Sequence, residues 1–353
     1  MQKYPDFISE KRRPIPTPPR LVENGRAIFG TFDKPFETMN FLDCVNPIGP
    51  NVPNVFNKLR LTQWQAFEIM LDEGALVSAV YNLGAVGFSI FVFHDKRTKK
   101  TYSWVNPSTG SKSKVAPNLI NSVTELMTSN SYLILDNQFQ DGICHGKGKS
   151  RNKKSGEIDF DLKITSLAPP AVGVMPMGEN KPLYSQKEFF KAEGYLKING
   201  ETFKTNERST AIVDDHRGFY SYKMYYHWLT TMGKTTINGK EQYLGFNLTR
   251  NQTTSQDDYN ENVLWLENYS CPLPPVHFTH ITSTKWTVKD EYGMVDIEFD
   301  IDDDFQIQVH LGLIDIDYSL PFGKIKGYVK DVEGNKYILD GMSGIGEDRS
   351  QKI

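Results

Sequence analysis

The stretch VDIEFDIDDDFQIQVHLGL, residues 295–313, alternates apolar and polar side chains almost without interruption. Its apolar residues up to Ile301 have odd numbers, and the same alternation resumes from Phe305 to Leu313. Because successive side chains of a β-strand point to opposite faces, this period of two predicts strands with one buried face. The acidic run DIDDD, 300–304, lacks the glycine and the final glutamate of a calcium loop, so we expect a turn between two strands.

The same alternation recurs elsewhere, as in EIDFDLKI at 157–164. Short alternating strands joined by turns are typical of antiparallel meanders, which build sandwiches and barrels. Few windows favour a helix. They are Thr62–Leu71, which could equally be a strand, Asn118–Met127, and a helical turn within Ser185–Ala192. The sequence therefore predicts an all-β chain with few short helices.

A proline-rich, charge-poor stretch, LAPPAVGVMPMGENKP at 167–182, is typical of a linker between two β domains. We predict an extended arm over residues 1–19, an N-terminal domain over 20–175 and a C-terminal domain over 176–353. Prolines in the arm fix φ and restrict the preceding residue, so it should be extended. It could lie across its own domain or serve as a ligand for an SH3 domain.

Charge and composition exclude several classes of protein. The formal net charge is -3, whereas a general nucleic-acid binder needs a strong basic excess. The cysteines Cys44, Cys144 and Cys271 are odd in number and far apart, which suggests a reducing compartment without disulfides. No signal peptide and no apolar run long enough to span a bilayer is evident. We expect a cytoplasmic protein with no transmembrane segment.

Motifs for phosphate and metal binding are incomplete. GKGKS at 146–150 lacks the first glycine of a phosphate loop and is expected to be a solvated hairpin loop. In HFTH, His277 and His280 would face one metal ion only on a helix, which the neighbouring prolines disfavour. We therefore predict no metal site and no other cofactor.

The stretch DDHRGFYSYKMYYHW, 214–228, combines charged groups with many aromatic rings. On a strand its even-numbered residues share one face: His216, Gly218, Tyr220, Tyr222, Met224, Tyr226 and Trp228. Aromatic rings with polar tips suit a barrel lumen that holds a mostly apolar molecule. They also suit a packed core whose hydroxyls bond to the backbone.

An aspartate beside a histidine at an apolar cavity could act as a general acid or base, because burial and a neighbouring charge tune both pKa values. A slip of one residue in register would exchange the inward-facing aspartate. The candidate catalytic residues are Asp214, Asp215, His216, Tyr222 and Lys223. The candidate ligand-binding residues are Tyr220, Met224, Tyr226, Trp228, Asn247 and Glu261.

Blocks along nearly the whole chain resemble the family known as domain of unknown function 2804. They include PPRLVENGRAIFGTFDKPFETMNFLDC (18–44), GVMPMGENKPLYSQKEFFKAEGYLKING (173–200), STAIVDDHRGFYSYKMYYHW (209–228) and PFGKIKGYVKDVEGNKYILDGMSGIGE (321–347). The resemblance implies a calycin-like protein, with two lipocalin-like antiparallel β-barrels in tandem. It also implies a distant relation to carotenoid hydratases of the hydroxyneurosporene synthase type, in which an aspartate in the barrel protonates an isoprenoid double bond. The nearest equivalent here is Asp214-Asp215-His216, followed by Tyr222 and Trp228.

Three functions follow from these observations. The first is binding of a lipid or other apolar small molecule in a barrel cavity. The alternative is an enzyme that performs proton-transfer chemistry, such as hydration, isomerisation or cyclisation, on an apolar, isoprenoid-like substrate. The third is a filled scaffold that acts through its surface. The sequence identifies neither the ligand nor the oligomeric state.

Overall fold

The computed structural model describes residues 3–237, 239–312 and 314–352. Within these residues, antiparallel strands form a 13-stranded sheet, a 10-stranded sheet and a two-stranded hairpin. The helices are one α-helix, α1 at Asn54–Arg60, and 3₁₀ turns at Glu10–Arg12, Phe41–Asp43 and Phe139–Asp141. The predicted all-β class is confirmed. No described helix is long and apolar enough to cross a bilayer.

The first sheet follows the small hairpin of β1 (Val22–Glu23) and β2 (Arg26–Ala27). Its strands are β3 (Gly30–Phe32), β4 (Leu61–Met70), β5 (Gly74–Asn82), β6 (Val86–Asp95), β7 (Lys100–Thr109), β8 (Ser122–Met127), β9 (Ser131–Gln138), β10 (Ile143–Asn152), β11 (Gly156–Ser166), β12 (Ala171–Pro176), β13 (Pro182–Ile198), β14 (Glu201–Lys204) and β15 (Thr210–Phe219). They run in the order β7-β6-β5-β4-β15-β13-β11-β10-β9-β8, with β12 and β14 against β13 and β3 against β12. The edge strand β7 returns to β10, where Ser150 Oγ donates to Asn106 Oδ1 over 3.1 Å. The sheet therefore curls into a barrel.

The second sheet contains the rest of the chain. Its strands are β16 (Lys223–Ile237), β17 (Lys240–Arg250), β18 (Val263–Leu266), β19 (Tyr269–Pro272), β20 (His277–Thr282), β21 (Lys285–Lys289), β22 (Val295–Leu311), β23 (Ile314–Lys330), β24 (Lys336–Ile338) and β25 (Ser343–Lys352). They run in the order β19-β18-β17-β16-β25-β23-β22-β21-β20, with β24 against β23. The edge strand β20 returns to β16, where the rings of Phe278 and His227 stack 5.5 Å apart. Two curled sheets in tandem confirm the predicted pair of lipocalin-like barrels.

Strands lie in all three windows for which a helix is considered, so for Thr62–Leu71 the strand alternative holds and for the other two the expected helix is wrong. Thr62–Leu71 lies almost wholly in β4, Asn118–Met127 contains β8, and Ser185–Ala192 lies within β13. Both faces of β4 are covered, since every residue from 64 to 70 is buried. A strand buried on both faces loses the alternation that would identify it.

Two expected loops are also strands. The acidic run 300–304 lies inside β22, which passes through it with only a register shift between Ile301 and Asp303. The run 146–150 lies in β10, and its glycines face aromatic rings of the first barrel. Leu313, expected to end the second alternating run, lies outside the described residues.

The tyrosine-rich stretch 214–228 does not form one strand. Its first part belongs to β15 of the first sheet, its last part belongs to β16 of the second, and residues 220–222 connect them. The proline-rich stretch 167–182 contains β12, which pairs with β13 inside the first sheet. The sheets thus change over at 220–222, while the domain limits 20–175 and 176–353 stay a prediction.

Opposite faces of β15 serve different cores. Ala211 and Val213 face the interior of the first barrel, whereas Ile212 faces the second sheet. The contact between the sheets is apolar: Met70, Val77, Val92, Phe189 and Ile212 meet Trp228, Met232, Tyr318, Leu320, Phe322 and Ile345. Full burial of a large apolar side chain contributes roughly 1.5–3 kcal/mol, so this interface fixes the two barrels against each other.

Candidate active site between the two sheets

A small cavity lies between the two sheets and is lined by side chains of both. The residues that matter for its chemistry are Trp64, Glu68, Lys187, Asp214 and His216 of the first sheet, Tyr226, Trp228, Tyr318 and Glu347 of the second, and Tyr220 and Glu261 from connecting segments. The cavity has a volume of about 50 Å³, which is room for a few water molecules.

Cross-strand pairing places the polar wall of this cavity. Asp214 of β15 is directly opposite Lys187 of β13, and His216 is opposite Ser185. On the other side of β15, Trp64 of β4 is opposite His216. Residues directly opposite each other on antiparallel strands point to the same face, so these side chains come together.

Glu261, from the segment before β18, completes the polar wall. Its Oε2 accepts from Ser185 Oγ over 2.6 Å and lies 2.8 Å from His216 Nε2 and 3.5 Å from Lys187 Nζ. Lys187 Nζ also donates to Asp214 Oδ2. Lys187 is only 2% exposed and Glu261 9%. We call Lys187, Asp214, His216 and Glu261 the ionic cluster.

Buried charges in the ionic cluster are paired with charges of opposite sign. Burial acts to raise the pKa of Glu261, but His216 and Lys187 outweigh it, and the pKa lies well below the ordinary glutamate value. Burial acts to lower the pKa of Lys187, but Asp214 and Glu261 outweigh it and raise that pKa. Both groups are therefore charged at neutral pH. Lys187 is the cation that lies between the carboxylates of Asp214 and Glu261.

His216 is held on three sides. Its Nε2 faces Glu261, its Nδ1 lies 3.3 Å from Tyr220 Oη, and its ring stacks on Trp64 with centroids 4.7 Å apart. Burial raises the pKa of Tyr220 well above its usual value, so this hydroxyl keeps its proton. With Nε2 donating to ionised Glu261, Nδ1 accepts from Tyr220. These three residues form a hydrogen-bonded chain that can carry a proton to or from the cavity.

Glu68 of β4 has the opposite electrostatic character. Burial raises its pKa well above the ordinary value, and Asp214 raises it further, against the lowering effect of Lys187. The residue is 2% exposed, and its Oε2 has no hydrogen-bond partner among the described residues. A neutral carboxylic acid with an uncommitted oxygen therefore faces the cavity.

The wall from the second sheet is aromatic, with one carboxyl group. Burial raises the pKa of Glu347, although hydrogen bonds from Tyr318 and Tyr226 and the charge of Arg349 act to lower it. The guanidinium of Arg349 lies 6.0 Å from the Tyr226 ring and 5.8 Å from the Tyr318 ring. The cavity thus has a polar wall and a mainly apolar wall, as a site for an apolar substrate requires.

The N-terminal arm fixes the segment that carries Glu261. Arg12 Nη1 donates to the carbonyl of Asn260 over 2.5 Å, and Arg12 Nη2 donates to that of Asn262 over 2.6 Å. A second cavity of about 330 Å³ lies on the far side of the ionic cluster, where Arg12, Lys187 and Glu261 all line it.

The structure brings several predicted residues to the cavity: Asp214, His216, Tyr220, Tyr226, Trp228 and Glu261. Asn247 lies behind this wall, where its Oδ1 accepts from Trp228 Nε1 over 2.5 Å. Met224 lines an adjoining recess together with Trp64 and Tyr220. The functional roles of these residues stay a prediction.

Asp215, Tyr222 and Lys223 lie elsewhere. Asp215 is on the opposite face of β15, where Arg217 Nη2 binds its Oδ1 over 2.8 Å. Tyr222 is 47% exposed and Lys223 is exposed as well, because the chain leaves the first sheet at 220–222. Of the even-numbered residues expected to line a barrel lumen, His216, Tyr220, Tyr226 and Trp228 instead border the space between the sheets.

Sequence reasoning missed Lys187, Ser185, Glu68 and Glu347. The helical turn expected at 185–192 hid the first two, because only on a strand do Ser185 and Lys187 share a face. Glu68 is an isolated acidic residue within the mostly apolar strand β4. That isolated ionisable side chain in a buried strand is the sequence feature that could have identified it.

Sequence comparison identifies the family. Residues 13–353 match the family described as Domain of unknown function (DUF2804). The chain belongs to this family. No curated protein matches the sequence.

Two solved structures show a similar fold. Kievitone hydratase from Nectria haematococca gives a TM-score of 0.51 at 13% sequence identity, over 83% of this chain and 89% of that chain. CghA with Sch210972 gives a TM-score of 0.51 at 8% identity, over 82% of this chain and 88% of that chain. At such low identity the likeness extends to the fold alone.

Proposed function

We propose that this protein is an enzyme that transfers protons to and from a small, mainly apolar substrate bound between the two sheets. The reaction is addition of water to a carbon–carbon double bond or its reverse, isomerisation, or cyclisation. The proposal rests on two carboxyl groups of one cavity, Glu68 and Glu261, whose pKa values are driven in opposite directions. Such opposed shifts let an enzyme hold an acid and a base at the same pH.

Each group has a role in this proposal. Glu68 is the general acid, because its carboxyl is neutral and its Oε2 is uncommitted. His216, whose Nε2 donates to Glu261, is the general base and accepts a proton at Nδ1 through Tyr220. In a hydration, Glu68 gives its proton to one carbon of the double bond. A water molecule bonds through oxygen to the other carbon and releases a proton to His216 through Tyr220.

The size of the cavity sets the size of the reacting group. Its volume of about 50 Å³ lies far below the roughly 300–1,000 Å³ of pockets that enclose drug-sized ligands. It fits a double bond and one water molecule. The rest of the substrate lies in the adjoining recess, which shares Trp64, Tyr81 and Tyr220 with the cavity and includes Met224. The aromatic lining favours an unsaturated, flat substrate.

Binding of a lipid without reaction, the first hypothesis from the sequence, stays a prediction. A carrier gains nothing from burying the charges of Lys187 and Glu261, since buried charge is costly. The small volume does not favour storage of a lipid chain either. Kievitone hydratase supports the enzyme only to the extent that a hydratase can be built on this fold.

Deuterium transfer to carbon tests the proposal even while the substrate is unidentified. The wild-type protein is incubated in heavy water with a small-molecule extract of the cells that make it. Mass spectrometry then identifies compounds that gain deuterium on carbon. We expect at least one such compound, and we expect Glu68→Gln to slow its labelling about 100-fold or more, because the general acid is lost.

Glu188→Gln is the matched control. Glu188 is also a buried glutamate, and burial raises its pKa to about 8. It lies on the face of β13 opposite Lys187 and does not line the cavity. Its variant should label the compound at the wild-type rate. No labelling by the wild type, or equal labelling by Glu68→Gln, would overturn the proposal.

A further inference from the structure

A second group of reactive side chains lies on the second sheet, away from the proposed active site. His227 of β16 is directly opposite Asp348 of β25, and His280 of β20 reaches the same point from the far edge of the sheet. One donor atom from each of the three residues lies within 4.8 Å of the others. His227 faces away from the cavity, because its neighbours Tyr226 and Trp228 line that cavity.

Distances between the donor atoms fit a metal ion. His227 Nδ1 lies 3.3 Å from Asp348 Oδ1, and His280 Nε2 lies 3.7 Å from Asp348 Oδ2. A tetrahedral zinc ion with bonds of about 2.0–2.1 Å separates its ligand atoms by about 3.3 Å. The His227–Asp348 distance matches that value, the His280 distance to the other oxygen of Asp348 is somewhat longer, and one ligand atom from each residue lies within 4.8 Å of the others.

Both imidazole rings are held in position by other aromatic rings. His280 stacks on Trp286 with centroids 4.7 Å apart and planes 11° from parallel. His227 stacks on Phe278 at 5.5 Å. Fixed rings reduce the ordering that metal binding would otherwise require, so the site is largely preorganised.

Among the described residues, hydrogen bonds do not occupy the possible metal-ligand atoms of this group. His227 Nδ1 is buried, yet among the described residues it has no partner in hydrogen-bond geometry. Within the same part of the chain, Asp348 has ion-pair contacts only to the two histidines. A carboxylate without a lysine or arginine, beside two imidazoles, is a ligand set that suits zinc and similar ions.

We propose that His227, His280 and Asp348 bind one divalent transition-metal ion of the zinc type, with water completing the coordination. Side-chain exposures of 29%, 38% and 35% leave room for that water. The ion would join the edge strand β20 to β16 and β25 and so close the second barrel. His277 and His280 of one segment would share a metal ion only on a helix, whereas His227, His280 and Asp348 come from three strands.

A second group of possible metal ligands lies on the surface and must be distinguished from this site. His310, Asp315 and Asp317 also lie close together on the hairpin of β22 and β23. There His310 Nδ1 is only 2.6 Å from Asp315 Oδ1, and Lys352 Nζ donates to Asp315 Oδ2 over 2.9 Å. That carboxylate is already paired with a cation, so we expect weaker metal binding there.

Zinc titration of chelator-treated protein by calorimetry tests the proposal. All proteins carry His310→Asn, which removes the second group. We expect one zinc ion per chain in this parent, and we expect His280→Asn to weaken binding at least about tenfold. His277→Asn, on the same strand but outside the group, is the control and should bind as the parent does.

Cobalt absorption and thermal melting make the result independent of folding defects. Cobalt should give the visible bands of a tetrahedral nitrogen and oxygen site in the parent. Zinc should raise the melting temperature of the parent and of His277→Asn, but not that of His280→Asn. Absence of binding by the parent, or equal binding by His280→Asn and His277→Asn, would show that the group is only a histidine–aspartate ion pair.

Discussion

At the scale of single residues, the ionic cluster stabilises the fold only when all its members are present. A buried ion pair gains little over well-packed apolar side chains, because both charges lose their hydration. Removal of one partner is different, since the other charge then stays buried and unpaired. Glu261 faces both His216 and Lys187. Substitution of Glu261 is therefore the clearest test of what removal of one partner costs.

We expect Glu261→Gln to lower the free energy of unfolding by about 3–5 kcal/mol, because Lys187 and His216 lose their shared negative partner. Urea denaturation at neutral pH measures this change. The control is Glu291→Gln, which breaks an exposed glutamate–histidine pair at 3.5 Å and should have little effect. Equal stability of the two variants would contradict the assigned role of the ionic cluster.

The pH dependence of the same difference has a definite sign. The pKa of Glu261 is lower in the folded protein than in the unfolded chain, whose glutamates titrate near about 4.3. Its ionised form therefore stabilises the fold above that pH, and this stabilisation is lost as the pH falls toward the folded pKa. The gap in stability between wild type and Glu261→Gln should shrink on acidification.

At the scale of secondary-structure elements, pairing between strands determines which structure a sequence pattern adopts. The alternation in 295–301 predicts a strand correctly, because Val295, Ile297 and Phe299 of β22 are buried and the residues between them are more exposed. It does not reveal that the acidic run continues the strand, since that depends on hydrogen bonds to β23. The helical turn expected within β13 is wrong, and for Thr62–Leu71 the strand alternative holds, because burial on both faces removes the alternation of a strand.

The glycines of β10 illustrate packing that no motif records. A Cβ at Gly148 would lie 2.7 Å from Phe91 and closer still to Phe160. We expect Gly148→Ala to lower the free energy of unfolding by about 1–3 kcal/mol, because the rings must move. Gly173→Ala is the control, since its nearest neighbour is the Gly30 carbonyl at 3.9 Å. Equal melting temperatures would argue against this packing.

At the scale of the whole molecule, the candidate site exists only because two barrels pack together. Alternation predicts antiparallel meanders, the family resemblance implies two barrels, and the parity of 214–228 groups His216 with Tyr220, Tyr226 and Trp228. The sequence does not show that the chain changes sheets within this stretch. It therefore places the site in a lumen, whereas the site lies between the sheets. The position of the site depends on contacts between strands that are distant in sequence, and no local sequence pattern predicts those contacts.

Contacts far from the cavity also couple the barrels. The β22–β23 hairpin of the second sheet lies against the first, where Phe322 stacks on His94 with centroids 5.2 Å apart. The backbone N–H of Thr101 donates to Asp303 over 2.8 Å. The packing that buries Glu68 is thus maintained by both barrels, and its pKa is a property of the assembled molecule.

Infrared spectroscopy of carboxyl groups tests the central claim most directly. The difference spectrum between wild type and Glu68→Gln at neutral pH isolates the carboxyl of Glu68. A band of a protonated carboxylic acid, lost when urea unfolds the protein, is the result we predict. A carboxylate band from Glu68 in the folded protein at neutral pH would contradict the assignment of this residue as the proton donor.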